Sequence, residues 1–404
     1  MQRRHFLNAA AGLSLMPLGS RLWAAPAADL PRFLLVFLRG AYDDNSLLVP
    51  QASSFYYEAR PTLAIARAGS GESAALALPG TSDWALAPAV GEALLPLWQR
   101  QQLAFVPFAG SDDTTRSHFE TQDSFEMGQG SGGKRDFGSG FLNRLAGVLG
   151  ASARGGAGHE ALAFTSQVPL VFRGPQAVAN HALRNVGKAG VDARQSASIE
   201  RMYQSTALQT AVSDGFETRT EVMNQMAGEM QAASRNAMGS RGFETEARRI
   251  GRLMRERIAL GFVDVGGWDT HARQGGATGT LADKLGELSR GLAALATEMG
   301  PIWQRSVVVV ASEFGRTFRE NGTRGTDHGH GSTYWVLGGG LRGGRVAGEQ
   351  QALRADTLFQ GRDTPVLNEY RALLAGLWAR QYGLSQGQLA TVFEGITPVD
   401  LGLV

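Results

Sequence analysis

The chain has 404 residues, 43% hydrophobic and 19% charged, with 39 lysines and arginines against 37 acids. That balance describes one large or two ordinary globular domains with ample core, and excludes a disordered chain. Cysteine is absent, which excludes disulfides and thiolate metal sites and leaves His, Asp, Glu, Ser or Thr to hold any metal.

Residues 1–27 read as a targeting segment. Arg3-Arg4-His5-Phe6-Leu7 precedes a mildly apolar stretch from Ala9 to Leu18, and Ala25-Pro26-Ala27 offers a small-residue cleavage site. The twin arginine followed by Phe-Leu resembles the Tat export signal, which implies passage through the Tat translocase and a periplasmic or extracellular location. Cleavage after Ala27 removes Arg3, Arg4 and Arg21, leaving 36 basic against 37 acidic residues. The basic excess thus belongs to the segment, and nucleic-acid binding has no support. Nothing beyond it approaches the ~18 apolar residues of a membrane span.

The expected elements follow in chain order. Phe33–Leu38 is a continuous apolar run that leads into Arg39-Gly40-Ala41-Tyr42-Asp43-Asp44. Leu103–Phe108 leads into Ala109-Gly110-Ser111 and then Arg116-Ser117-His118-Phe119. Glycine-rich loops lie at 128–140 and 155–158. Residues 195–257 are polar and helix-prone, with Met223, Met226 and Met230 at helical spacing. They are expected to form a helical insertion, either packed on the sheet or capping the substrate site. Ile258–Val265 leads into Gly266-Gly267-Trp268-Asp269-Thr270-His271. Thr280 and Asp283 read as a capping pair opening a helix from Leu281 to about Met299. Val307–Ala311 leads into Ser312-Glu313-Phe314-Gly315-Arg316-Thr317, and Thr326-Asp327-His328-Gly329-His330-Gly331 precedes the run Tyr334–Leu337. Leu367–Tyr382 closes the pattern as a helix. Apolar runs buried on both faces, separated by helix-length segments, predict an α/β fold with a mainly parallel sheet and helices on both sides.

In such sheets the site lies beyond the carboxyl ends of the strands, where loops from separate strands meet. Four strand ends carry acids, a serine and histidines. Asp43 and Asp44 are either ligands or turn acids, and Ser117 is either a nucleophile or a helix cap. Asp269 and His271, two apart in a glycine-flanked loop, can face one ion. Glu313 is either a ligand or the partner of Arg316. His328 is the firmest candidate ligand, with Asp327 as an orienter behind it and His330 tuning the site. His118 belongs to the same constellation, whereas His159 and His181 sit in polar loops. The match of residues 338–343 to G-x-G-x-x-G lacks the following helix, and the glycine-rich run at 128–134 has Arg135 where a P-loop needs Ser or Thr.

The set Arg39-Gly40-x-x-Asp43, Arg60-Pro61-Thr62-Leu63, Arg116–Phe119, Gly266–His271, Ser312–Thr317, Thr326–Gly331 and the Leu401-Gly402-Leu403 ending resembles the DUF1501 family across about residues 30–404. That family looks like a branch of the alkaline phosphatase/sulfatase fold, a three-layer α/β/α architecture. The resemblance implies Ser117 as nucleophile and Asp43, Asp269, His271, Glu313 and His328 as ligands of one or two divalent ions, zinc or manganese. Arg116 or Arg316 would stabilise the equatorial oxygens. Two departures stand out: the acid and histidine at 269 and 271 are two apart rather than four, and Glu313-Phe314 stands where Asp-His is usual. The expectation is an exported metal-dependent hydrolase of small phosphate or sulfate esters, in a single domain spanning residues 28–404. The alternative is a non-catalytic metal-binding or scaffold protein of the cell envelope with a degenerate phosphatase-like fold.

Overall fold

A computed structural model describes residues 30–150 except 70, 131, 133 and 134, residues 160–182, parts of 201–212, and residues 242–404. The expected targeting segment and Met223, Met226 and Met230 lie outside the described residues. The described strands are β1 (Arg32–Arg39), β2 (Leu48–Val49), β3 (Leu76–Ala77), β4 (Ala85–Leu86), β5 (Leu103–Gly110), β6 (Glu160–Ala163), β7 (Ala179–Asn180), β8 (Ile258–Gly266), β9 (Ser306–Ser312), β10 (Ser332–Leu337), β11 (Arg345–Val346) and β12 (Asn368–Glu369). The described α-helices are α1 (Ser54–Ala59), α2 (Gly91–Gln99), α3 (His118–Met127), α4 (Phe141–Leu149), α5 (Phe243–Glu256), α6 (Thr280–Met299), α7 (Tyr370–Tyr382) and α8 (Gln386–Val392).

The five longest apolar runs became the five longest strands, and all five lie side by side in one sheet. The nine-stranded sheet has the order β11-β5-β10-β9-β1-β8-β6-β7, with β12 also on β5. β1 pairs in parallel with β8 (Phe33 opposite Leu260) and with β9 (Phe33 opposite Val307). β10 is antiparallel to both β5 and β9, so the sheet is mixed but mostly parallel. Strand alternation sends Leu34, Val36 and Leu38 into a cluster with α2, α5 and α6, while Phe33, Leu35 and Phe37 join α4, α7 and α8 on the other face. Each such fully buried side chain stabilises the fold by about 1.5–3 kcal/mol relative to exposure. β2, β4 and β3 form a separate small sheet.

Two boundaries differ from the sequence reading. The Thr280/Asp283 capping pair does not form, because the Asp283 N–H already donates to the Gly279 carbonyl at 2.9 Å as the first helical bond. Helix α7 begins at Tyr370, three residues after the expected Leu367, since Asn368 and Glu369 first pair with β5 and Glu369 then caps the helix through the Ala372 N–H. Within the expected 195–257 insertion, α5 packs Ala247, Ile250, Leu253 and Met254 into the core beside α6. No helix among the described residues is long and apolar enough to cross a membrane.

The topology decides where the polar motifs go. β1, β5, β8 and β9 run the same way and end at one edge of the sheet; β10 runs the other way and therefore begins there. The loops at 40–44, 111–119, 267–271, 313–317 and 326–331 all leave or enter that edge.

Candidate metal centre

Close backbone approach brings the loops together. Gly40 has φ 113°, and a Cβ there would stand 2.8 Å from the Asp269 backbone nitrogen, so the loop after β1 lies directly on the loop after β8. Trp268 anchors that second loop: it is buried, its Nε1–H donates to Val265 O at 2.8 Å, and its ring meets Tyr42 edge-on. Gly329 lies against the Arg316 backbone, which allows the bridge pairing Arg316 with His328.

Four side chains meet where these loops converge. Ligand atoms of His118, Asp269 and His328 all lie within 4.8 Å of one another. His271 Nε2 stands 2.8 Å from Asp269 Oδ1 and 3.1 Å from His328 Nε2. His118 Nε2 is 3.6 Å from Asp269 Oδ2, buried, and without a hydrogen-bond partner.

Each imidazole is held from behind. His118 Nδ1 is 2.8 Å from Glu313 Oε1, His271 Nδ1 is 3.1 Å from Asp327 Oδ1, and His328 Nδ1 is 2.9 Å from the Arg116 carbonyl. Carboxylates and carbonyls only accept, so the Nδ1 of His118 and that of His328 carry a proton and donate it, whereas His271 faces a carboxylate at both nitrogens, Asp327 behind and Asp269 in front. The Nε2 atoms face one another and Asp269. Two facing lone pairs 3.1 Å apart repel unless a proton or a cation lies between them, which is the arrangement of imidazole ligands fixed by outer partners.

The same contacts set the protonation equilibria. For His118, the Glu313 hydrogen bond outweighs burial and raises the pKa. For His328, burial and then the charge of His118 lower it, keeping the ring neutral. Burial pulls Asp269 upward, but the Arg316 hydrogen bond and charge hold its carboxyl below the usual range. In Glu313 burial is likewise outweighed, here by hydrogen bonds from His118 and Gln122, so the carboxylate stays ionised.

The structure brings together three of the five expected ligands, Asp269, His271 and His328, and adds His118, which the sequence reading ranked below them. Glu313 is elsewhere. Its Oε1 accepts from Gly40 N, Gln122 Nε2 and His118 Nδ1, all at 2.8 Å, and its Oε2 accepts from Ser312 Oγ. It orients a histidine instead of pairing with Arg316. Asp43 is also spoken for: it is fully buried, forms a two-pronged pair with Arg60 at 2.5 and 2.9 Å, and accepts from Ser46 and Gln274. Its neighbour Asp44 is buried against Thr333, and burial with the Asp43 charge pushes its pKa up to about 7.

The remaining candidates divide. Arg316 is fully buried and donates to Asp269 Oδ1 at 2.6 Å and to Thr326. Arg116 is tied to Asp363 and Gln360. Ser117 caps α3, its Oγ accepting from Glu120 N at 3.5 Å, and no hydrogen bond joins it to the imidazoles among the described residues. Asp327 backs His271 and not His328, the histidine it was expected to orient, whose Nδ1 meets the Arg116 carbonyl. His330 is buried against Phe359 and lies off the cluster. Sequence reasoning missed Gln122, Arg60 and Gln274; Gln122 was visible five residues after Ser117 and Arg60 within Arg60–Leu63, but neither signals its partner.

Residues 31–396 match the model of one protein family, described as protein of unknown function (DUF1501). No curated protein matches the chain.

Proposed function

The chain belongs to the DUF1501 family, and we propose that it is an exported, metal-dependent hydrolase of phosphate or sulfate esters on an alkaline phosphatase/sulfatase-like fold. One observation carries this reading: ligand atoms of His118, His328 and Asp269 converge, His271 Nε2 adjoins Asp269 and His328, and each Nδ1 is tied to an acceptor behind it. A nitrogen and oxygen donor set of this size suits zinc or manganese. His118, His271 and His328 keep 21%, 45% and 27% of their side chains exposed, and access of this kind marks catalytic sites more than closed structural ones.

A bound divalent ion supplies Lewis acidity toward an ester oxygen and lowers the pKa of a neighbouring hydroxyl. The chain's own residues do the rest. Asp269, held by Arg316, is the anionic ligand, and Glu313 fixes His118 in the tautomer that leaves Nε2 free. Ser117 adjoins His118 at the start of α3 and is the proposed nucleophile, where the first N–H groups of the helix favour an anionic group. With Asp43 and Glu313 engaged elsewhere, the donor set serves one ion. The twin-arginine segment supports export by the Tat pathway to the periplasm or beyond.

A second reading is a non-catalytic metal-binding protein of the cell envelope. Ser117 favours it, since among the described residues its hydroxyl bonds only to the Glu120 N–H of its own helix. Elemental analysis of the purified mature protein, with turnover of aryl phosphates and aryl sulfates, separates the two. The expected result is about one divalent ion per chain, lost in His328→Ala but kept in Ser117→Ala, which loses turnover. A wild-type protein free of metal overturns the centre. Bound metal with no turnover on either ester class establishes the second reading.

A further inference from the structure

We propose that Arg362, with Arg116, forms an oxyanion-binding edge beside the metal centre, selecting anionic phosphate or sulfate esters over neutral ones. This rests on the hydrolase reading and adds a residue to it.

The three arginines around the centre differ in what they have left to offer. Arg316 has no exposed side-chain surface, and all three of its guanidinium nitrogens donate to Asp269 or Thr326. It positions Asp269 and has no free face for a substrate. Arg362 keeps 40% of its side chain exposed. Its Nη2 donates to the His328 carbonyl at 2.7 Å and its Nη1 lies 3.3 Å from Asp363 Oδ2. Its Nε–H and one N–H on each terminal nitrogen have no acceptor among the described residues. Arg116 keeps 22% exposed; its Nε and Nη2 reach Asp363 Oδ2 at 2.8 and 2.7 Å. Its Nη1 has no acceptor among the described residues.

Two guanidinium groups therefore share one carboxylate oxygen, and Asp363 balances only one of their two charges. Of the other acids near the centre, Asp269 pairs with Arg316, while Asp327 and Asp113 accept from His271, Asn321 and Thr115 and pair with neither of these two arginines. Both arginines also touch the ligand His328, Arg116 through its carbonyl to Nδ1 at 2.9 Å and Arg362 through its guanidinium. Open, planar, permanently charged donors attached to a metal-binding residue match the non-bridging oxygens of a phosphoryl or sulfuryl group.

Binding of inorganic phosphate to the purified protein by calorimetry, with metal content measured in parallel, tests this. Arg362→Gln is expected to keep the wild-type metal content and thermal midpoint while weakening phosphate about tenfold to a hundredfold, the worth of a charge-assisted hydrogen bond. Arg362→Lys, which keeps the charge and loses the fork, should recover part of that loss and serves if the glutamine variant misfolds. Unchanged phosphate affinity in these variants, or no phosphate binding by a metal-loaded wild type, overturns the arginine edge and leaves the metal centre standing. A metal-free wild type that still binds phosphate in an Arg362-dependent way upholds the edge while the hydrolase reading fails.

Discussion

Replacing Asp43 by Asn separates a ligand from a structural ion pair. In the folded chain Asp43 Oδ2 accepts from Arg60 Nη1, Ser46 Oγ and Gln274 Nε2, and Oδ1 accepts from Arg60 Nη2; both charged side chains are fully buried. Arg60 spends its other donors on the carbonyls of Phe318 and Thr317, tying the loop after β1 to the segment after β9. The asparagine removes the negative charge and turns an acceptor toward Arg60 into a donor, stranding a buried cation. Breaking such a pair costs about 3–5 kcal/mol, a large part of the ~5–15 kcal/mol that holds a domain folded. Urea unfolding of the metal-free proteins measures it, and metal analysis of the same proteins as purified, before metal is removed, should show wild-type content. Arg60→Gln should cost a similar amount, and the double variant less than the sum, since the two act as one unit. An Asp43→Asn protein of near wild-type stability that has lost its metal would refute the reasoning and return Asp43 to the ligand set.

Two further outcomes follow from groups near the same edge. Glu313→Gln should weaken metal binding about tenfold to a hundredfold, because His118 loses its charged orienting partner; competition with a chromophoric chelator reads this, and unchanged affinity would make Glu313 a packing residue only. Asp44 supplies a pH dependence. Its folded pKa of about 7 lies above the ~3.9 of an unfolded carboxyl, so its contribution to stability is full below pH ~4 and is lost as pH rises through 7. Stability should decline by up to ~4 kcal/mol from this group between pH 4 and 8, and Asp44→Asn should flatten that part of the profile. A wild-type profile already flat there sinks the assignment.

Much of the architecture was legible because continuous apolar runs have few alternatives in a chain of this composition. Phe33–Leu38 and Val307–Ala311 have no polar face to expose, so both became interior strands, each a residue or so longer at either end than the run itself. The side chains of the Asp-x-His pair at 269 and 271 lie 2.8 Å apart. Partnership across the fold was not legible. Glu313 and Arg316, three residues apart, looked like a natural pair, yet alternate backbone directions send one to His118 and the other to Asp269. Asp43 looked free because Arg60 lies 17 residues on, beyond a two-residue strand and a short helix.

The residues themselves determined that this chain has a buried, mostly parallel sheet and a cysteine-free set of imidazoles and carboxylates at its strand ends. Tertiary structure decided which of them meet. The reversed direction of β10 delivers His328 to the edge where β5, β8 and β9 end, and burial then forces every acid there to find a donor. Asp43 found Arg60, Glu313 found His118, and Asp269 found Arg316 while facing the imidazoles. Periodicity records which face a residue takes, whereas the pairing of charges depends on distances across strands that no local pattern contains.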